Sequence, residues 1–304
     1  MRDGVNATDY AESAPAAHQG PRAAGPDLPV TIIRPDRGWF DWRLRQLWRY
    51  RDLVSMFVWR DFVATYKQTI LGPAWHVVRP VLTTLIFTVV FGRMAGLSTE
   101  GAPPFLFYMA GLLPWTYFAT AVETVAKTFV ANANLLGKVY FHRLAIPLSI
   151  VLSTFIAFGI QLGVFAVILI GYVARGTSIH MTGWLAAAPL LMLIVAGYAL
   201  AFGIIVCAIT TKYRDLAHVF TFAVQLWLYV TPVIYPVSSV PKRYQMLVWL
   251  NPLTPLVEGF RLAFIGVGTV TPSDVVISGA AMGLLLVLGL MLFSRVERTF
   301  MDTV

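Results

Sequence analysis

The chain has 304 residues, 58% of them hydrophobic and only 12% charged, with a formal charge of +8. Soluble domains carry roughly 25% charged residues, so this composition excludes an ordinary soluble domain and points to a membrane protein. The basic excess sits beside apolar runs, where anionic lipid and topology account for it without a nucleic-acid partner. The one cysteine, Cys207, excludes an internal disulfide. The five histidines His18, His76, His142, His180 and His218 have no metal-ligand spacing.

Residues 1–36 are rich in Ala, Pro and Gly without periodicity and read as a disordered cytoplasmic tail; they lack the pattern of a cleavable signal peptide. Residues 37–73 then change character. In residues 39–50, Phe40, Leu44, Leu47 and Trp48 fall on one helical side and Asp41, Arg45 and Arg49 on the other, as in a helix lying in the headgroup plane. A second half-apolar piece covers residues 53–66, and Gly72-Pro73 marks the turn into the membrane.

The fold class expected is an all-α membrane protein, with six transmembrane helices in the domain 74–296. The six apolar runs are 74–91, 105–125 (with Pro114 inside), 146–172, 184–210, 216–235 and 275–293. Each is about long enough to cross roughly 30 Å of hydrocarbon, where only a helix satisfies its own backbone. Seventeen Lys and Arg fall in the pieces assigned inside and five in those assigned outside, which places both termini in the cytoplasm, the last piece being 297–304.

Residues 131–147 form a basic island between the second and third runs, holding Lys138 and Arg143, with no acid between Glu123 and Asp215. Leu135, Leu136, Val139 and Tyr140 recur at helical spacing, with Asn132 or Asn134 as N-cap and Pro147 closing the segment. A soluble partner could push on such a helix from inside. Residues 236–272 are too apolar for a free loop and too broken by proline for two spans. Two short helices, 240–250 and 255–264, read as a re-entrant pair before the last span, the alternative being an amphipathic cap on the outer surface. Glu258 and Arg261, three apart, can pair on the second.

Catalytic and nucleotide-binding patterns are absent. Gly137-Lys138 is followed by Val139 and is no Walker A loop, and there is no Ser-His-Asp grouping or dinucleotide glycine motif. Ionisable groups deep in the runs, which an ion-coupled pump requires, are nearly absent. Energy for active transport therefore has to enter through a partner. Aromatics are plentiful. Tyr108 and Trp184 fit interfacial belts, whereas Trp115, Tyr117 and Phe118 beside Pro114, and Trp227 and Tyr229 near Pro232, fit either a belt or a surface gripping sugar rings.

The segments WRDFVATYKQTILGPAW (59–75), AGLLPWTYF (110–118), NANLLGKVYFHRLAIPLS (132–149), KYRDL (212–216) and NPLTPLVEGFR (251–261) resemble the ABC-2-type permeases. More narrowly, they are similar to the transmembrane subunits of exporters for O-antigen, capsule or teichoic acid. His142 stands where that pattern has proline. The resemblance implies a bacterial inner-membrane homodimer of permeases that binds two copies of a separate ABC ATPase. ATP and Mg would sit on that partner, with no cofactor on this chain. It also implies a coupling role for Asn134, Lys138, Tyr140 and Arg143, and for Lys212, Arg214 and Asp215, the last of which could equally cap the fifth run. Trp115, Tyr117, Phe118, Trp227 and Tyr229 would then face a lipid-linked polysaccharide, and Tyr244, Trp249, Glu258 and Arg261 would belong to an outer gate. A small-molecule exporter permease and a non-transporting membrane scaffold are the alternatives.

Overall fold

The computed structural model describes residues 48, 50–66, 72–132, 141–210 and 215–300, with side chains except at 65, 66, 73, 130 and 296–300; these residues belong to the compact unit that begins at Trp39. The tail 1–36, most of the first amphipathic piece and residues 133–140 of the basic island lie outside the described residues. So do residues 211–214. Among the described residues the chain is helical and has no strand.

Helix α1 (Arg51–Tyr66) precedes α2 (Trp75–Phe87), which widens into a π-helical turn over Thr88–Met94. Then come α3 (Pro104–Ala126), the single turn α4 (Thr128–Ala131) and α5 (Ala145–Ala174). A 3-10 turn over Gly183–Ala187 leads into α6 (Ala188–Thr210), followed by α7 (Leu216–Val230). Two short helices, α8 (Lys242–Leu250) and α9 (Thr254–Ile265), precede α10 (Pro272–Phe300). Five helical stretches of 20 to 30 residues are long and apolar enough to cross a membrane: Trp75–Met94, Pro104–Ala126, Ala145–Ala174, Gly183–Thr210 and Pro272–Arg295.

The fifth expected run is the exception. Helix α7 has 15 residues, about 22 Å at 1.5 Å per residue. It stops because Pro232 disfavours the helical conformation at the residue before it, and Thr231 is extended with ψ 137°. Pro114 does not interrupt α3, and Pro147 lies in the first turn of α5 and opens that helix instead of closing the island before it. Helix α10 begins with an acidic first-turn residue that reaches back: the backbone N–H and hydroxyl of Thr271 both donate to the Asp274 carboxylate, at 2.8 and 2.6 Å.

Helix α3 is the centre, packed on α2, α5, α6 and α9. It meets α6 closely because Gly203 has no side chain; a Cβ there would lie 2.5 Å from Val125. Helix α1 buries Val54 and Phe57, the latter 5.7 Å from the Phe141 ring, and leaves Met56 and Trp59 exposed. Its contact with the bundle is thus a narrow one. Two long elements are barely covered. Helix α2 exposes Leu82, Leu85 and Ile86, its π-helical extension exposes Val90, and Val224 is the one fully buried residue of α7.

Candidate functional site

The loops at residues 95–103, 175–182 and 231–271 meet at one end of the bundle. Thr182 donates to the Leu262 carbonyl at 2.7 Å, and Ser238 donates to Glu100. The expected α8–α9 pair is present there, but its halves differ. Helix α9 is almost wholly buried, whereas α8 exposes Tyr244, Met246, Leu247 and Leu250, with Trp249 half-buried.

Glu258 and Arg261 face inward on α9 and are ion-paired at 3.2 Å, with 1% and 0% of their side chains exposed. The pair's other polar atoms are matched except Arg261 Nε, which is buried with no hydrogen-bond partner among the described residues. Arg261 donates to the Val233 carbonyl and lays its guanidinium 3.8 Å above the Phe107 ring. The other Glu258 oxygen accepts from the Thr269 backbone N–H at 3.4 Å. Gly111 makes room for the guanidinium, since a Cβ there would sit 2.6 Å from Nη2. Arg261 therefore joins α9, α3 and the segment after α7, and its geometry is that of a fixed cross-link.

The aromatic residues fall into three places. Trp115, Phe118 and Trp227 come together, with Phe118 to Trp227 at 5.4 Å and Trp115 to Trp227 at 6.4 Å. Phe202, 5.1 Å from Trp227, and Tyr198 complete this cluster inside the chain, and Phe118 has no exposed surface. Tyr117 points to the other side of α3, packs 4.6 Å from Phe155 and donates to the Val151 carbonyl at 3.1 Å. Tyr229 stands apart, 56% exposed on the outward face of α7. It shares that face with the exposed His218, Phe222 and Gln225, at helical spacing along an otherwise apolar helix.

Asn251 links the cluster to the α8–α9 pair. Its side-chain oxygen accepts from the Trp227 indole N–H at 3.3 Å and from the Leu253 backbone N–H at 3.2 Å. Its amide donates to the Thr231 hydroxyl at 2.8 Å. Asn-Pro at 251–252 signalled a turn in the sequence, but nothing local showed that its amide would reach back to α7.

Asn134, Lys138, Tyr140, Lys212 and Arg214 lie outside the described residues. Arg143 is buried, in the turn where the His142 Nδ1 accepts the Leu144 N–H at 3.3 Å. Histidine here organises a short turn by a side-chain acceptor. Asp215 is exposed at the N-cap of α7, its backbone carbonyl accepting from His218 at 3.0 Å, and its side chain makes no capping bond.

Residues 52–265 match the ABC-2 type transporter family, and the chain belongs to that family. It is 30% identical over 223 residues to the O-antigen export system permease protein RfbA of Myxococcus xanthus, covering 73% of this chain and 83% of that protein. A Klebsiella pneumoniae protein of the same name is 27% identical over 251 residues, covering 83% and 94%. The inner membrane transport permease YadH of Escherichia coli K12 is 24% identical over 197 residues, covering 64% and 77%. These relatives are permeases of transport systems.

Proposed function

We propose that this chain is the membrane-spanning subunit of an ATP-driven exporter that moves a lipid-linked polysaccharide out across a bacterial inner membrane. The O-antigen export permeases among its relatives support the cargo class. The observation that carries the reading is the outward face of α7. His218, Gln225 and Tyr229 are exposed there on a helix otherwise suited to lipid. Polar side chains in hydrocarbon are costly, so such a face belongs against water, cargo or another subunit. A ring-shaped Tyr229 side chain with a hydroxyl at its tip can hold a sugar by its apolar face while bonding a hydroxyl.

In this reading two copies of the chain place their α2 and α7 faces along a shared axis. Helix α7, with its short apolar length, is then the fifth of six crossings, and α8–α9 dips back toward the axis at the outer mouth. Both termini are cytoplasmic. Two copies of an ABC ATPase, carrying ATP and Mg, dock beneath residues 131–147 and the turn at 211–215. Closure of the ATPase pair shifts the permease between arrangements of different affinity for cargo.

The test is loss of the gene. Cells without it are expected to lose surface polymer and to accumulate lipid-linked glycan on the cytoplasmic side. Unchanged surface polymer would overturn the reading. Charge reversal at Lys138 is expected to leave the protein folded while uncoupling ATP hydrolysis from export.

A further inference from the structure

A groove runs between α1, α2, α3 and α5 on the side of α3 away from the aromatic cluster. Two cavities of about 480 and 490 Å³ share Arg79 and Thr120 in their walls, and a third of about 230 Å³ adjoins both. Together they follow α3 from Lys127 to Leu112, a rise of about 22 Å. The wall changes along this length. Arg60, Asp61, Glu123 and Lys127 line the end near α1, whereas Thr116, Thr154 and Gln161 line the deeper end.

Arg79 stands where the two ends join. Arg60 is already paired with Asp61 at 2.7 Å, and Glu123 lies one helical turn from Lys127. Arg79 makes no ion pair among the described residues, and its side chain projects from the poorly covered α2 into the junction. A guanidinium fork matches two oxygens of a phosphate, and threonine hydroxyls four residues apart on α3 offer further donors. Leu82, Leu85 and Ile86, on the same helix α2 that carries the lining residues Arg79, Pro80 and Thr83, are exposed. Long apolar chains could lie there while a polar headgroup stays inside.

We propose that this groove is a binding site for the phosphate-bearing headgroup of a membrane lipid. The phosphate sits on Arg79, and the hydroxylated part of the headgroup lies beneath Thr116, Thr120 and Gln161. The proposal deepens the export reading, because a lipid-linked cargo carries such a group where lipid meets glycan. The groove lies inside one chain, and at its Lys127 end it adjoins the α7 face assigned to the polymer, since Lys127 also lines a pocket with His218, Phe222 and Gln225.

The test is lipid retention by the purified full-length protein in detergent, read by native mass spectrometry with polyprenyl phosphate, phosphatidylglycerol and diacylglycerol as probes. Wild type is expected to retain both phosphate lipids and to release diacylglycerol. The substitution Arg79→Gln is expected to weaken retention about tenfold or more, as the loss of a charge-assisted contact implies, with Arg79→Lys in between. Lys242→Gln, at the other end of the bundle, should change nothing. Equal retention by Arg79→Gln, or retention of diacylglycerol as strong as that of the phosphate lipids, would overturn the site. Displacement of every lipid by millimolar inorganic phosphate would show a free-phosphate site and overturn the lipid assignment. Retention is measured without export, so the site can fail while the export reading stands, or stand while that reading fails.

Discussion

The Trp227 indole N–H donates to the side-chain oxygen of Asn251 at 3.3 Å, across 24 residues of chain. The same Asn251 amide donates to Thr231, the residue at which α7 ends. One side chain therefore ties the aromatic cluster, the end of α7 and the turn between α8 and α9. Asn251→Ala leaves buried donors without acceptors, at about 1–3 kcal/mol of stability. The expected outcome is a clearly lower midpoint in thermal unfolding in detergent. Trp227→Phe, which removes only the indole donor and part of the ring, should lower it less.

Arg261 is buried with a single carboxylate partner, Glu258. Arg261→Met strands that carboxylate, and breaking a buried pair from one side costs about 3–5 kcal/mol. Expression and thermal stability should fall sharply. The double substitution Arg261→Met with Glu258→Leu should recover much of the loss, because no charge is then left buried. A double variant as unstable as Arg261→Met would show that the lost contacts with Phe107 and Val233, not the stranded charge, dominate.

Gly111→Ala places a methyl group where the guanidinium of Arg261 now lies, with the Val233 carbonyl 3.0 Å away. Overpacking of this kind costs about 1–3 kcal/mol. The shift should be non-additive with Arg261→Met, which a double-mutant cycle on unfolding midpoints would reveal.

Phe118 and Tyr229 should separate stability from transport. Phe118→Ala empties a fully buried position and should destabilise by about 3–5 kcal/mol. Tyr229→Ala, on an exposed face, should leave the free energy of unfolding within about 0.5 kcal/mol of wild type while reducing export. Measurement of both properties on both variants checks the division.

The spans were readable because hydrocarbon forces long uncharged runs into helices whatever their neighbours do. Hence 146–172 appears as Ala145–Ala174 and 105–125 as Pro104–Ala126. The end of α7 was also written locally, in Thr231-Pro232, but twenty apolar residues at 216–235 masked it. The Glu258–Arg261 pair was legible from its three-residue spacing. What else Arg261 touches was not, since Phe107, Gly111 and Val233 are distant in sequence. The aromatics show the same limit: Trp115, Tyr117 and Phe118 adjoin in the chain, yet helical rotation sends Tyr117 to the opposite side of α3.

Helices α2 and α7 are anchored along narrow strips, whereas α9 is gripped on nearly every side by its neighbours. Mechanical work delivered to this protein is therefore absorbed unequally. The layer around α9 travels with α3 as a block, and displacement concentrates in the two loosely held elements, where the fewest packed side chains must be separated.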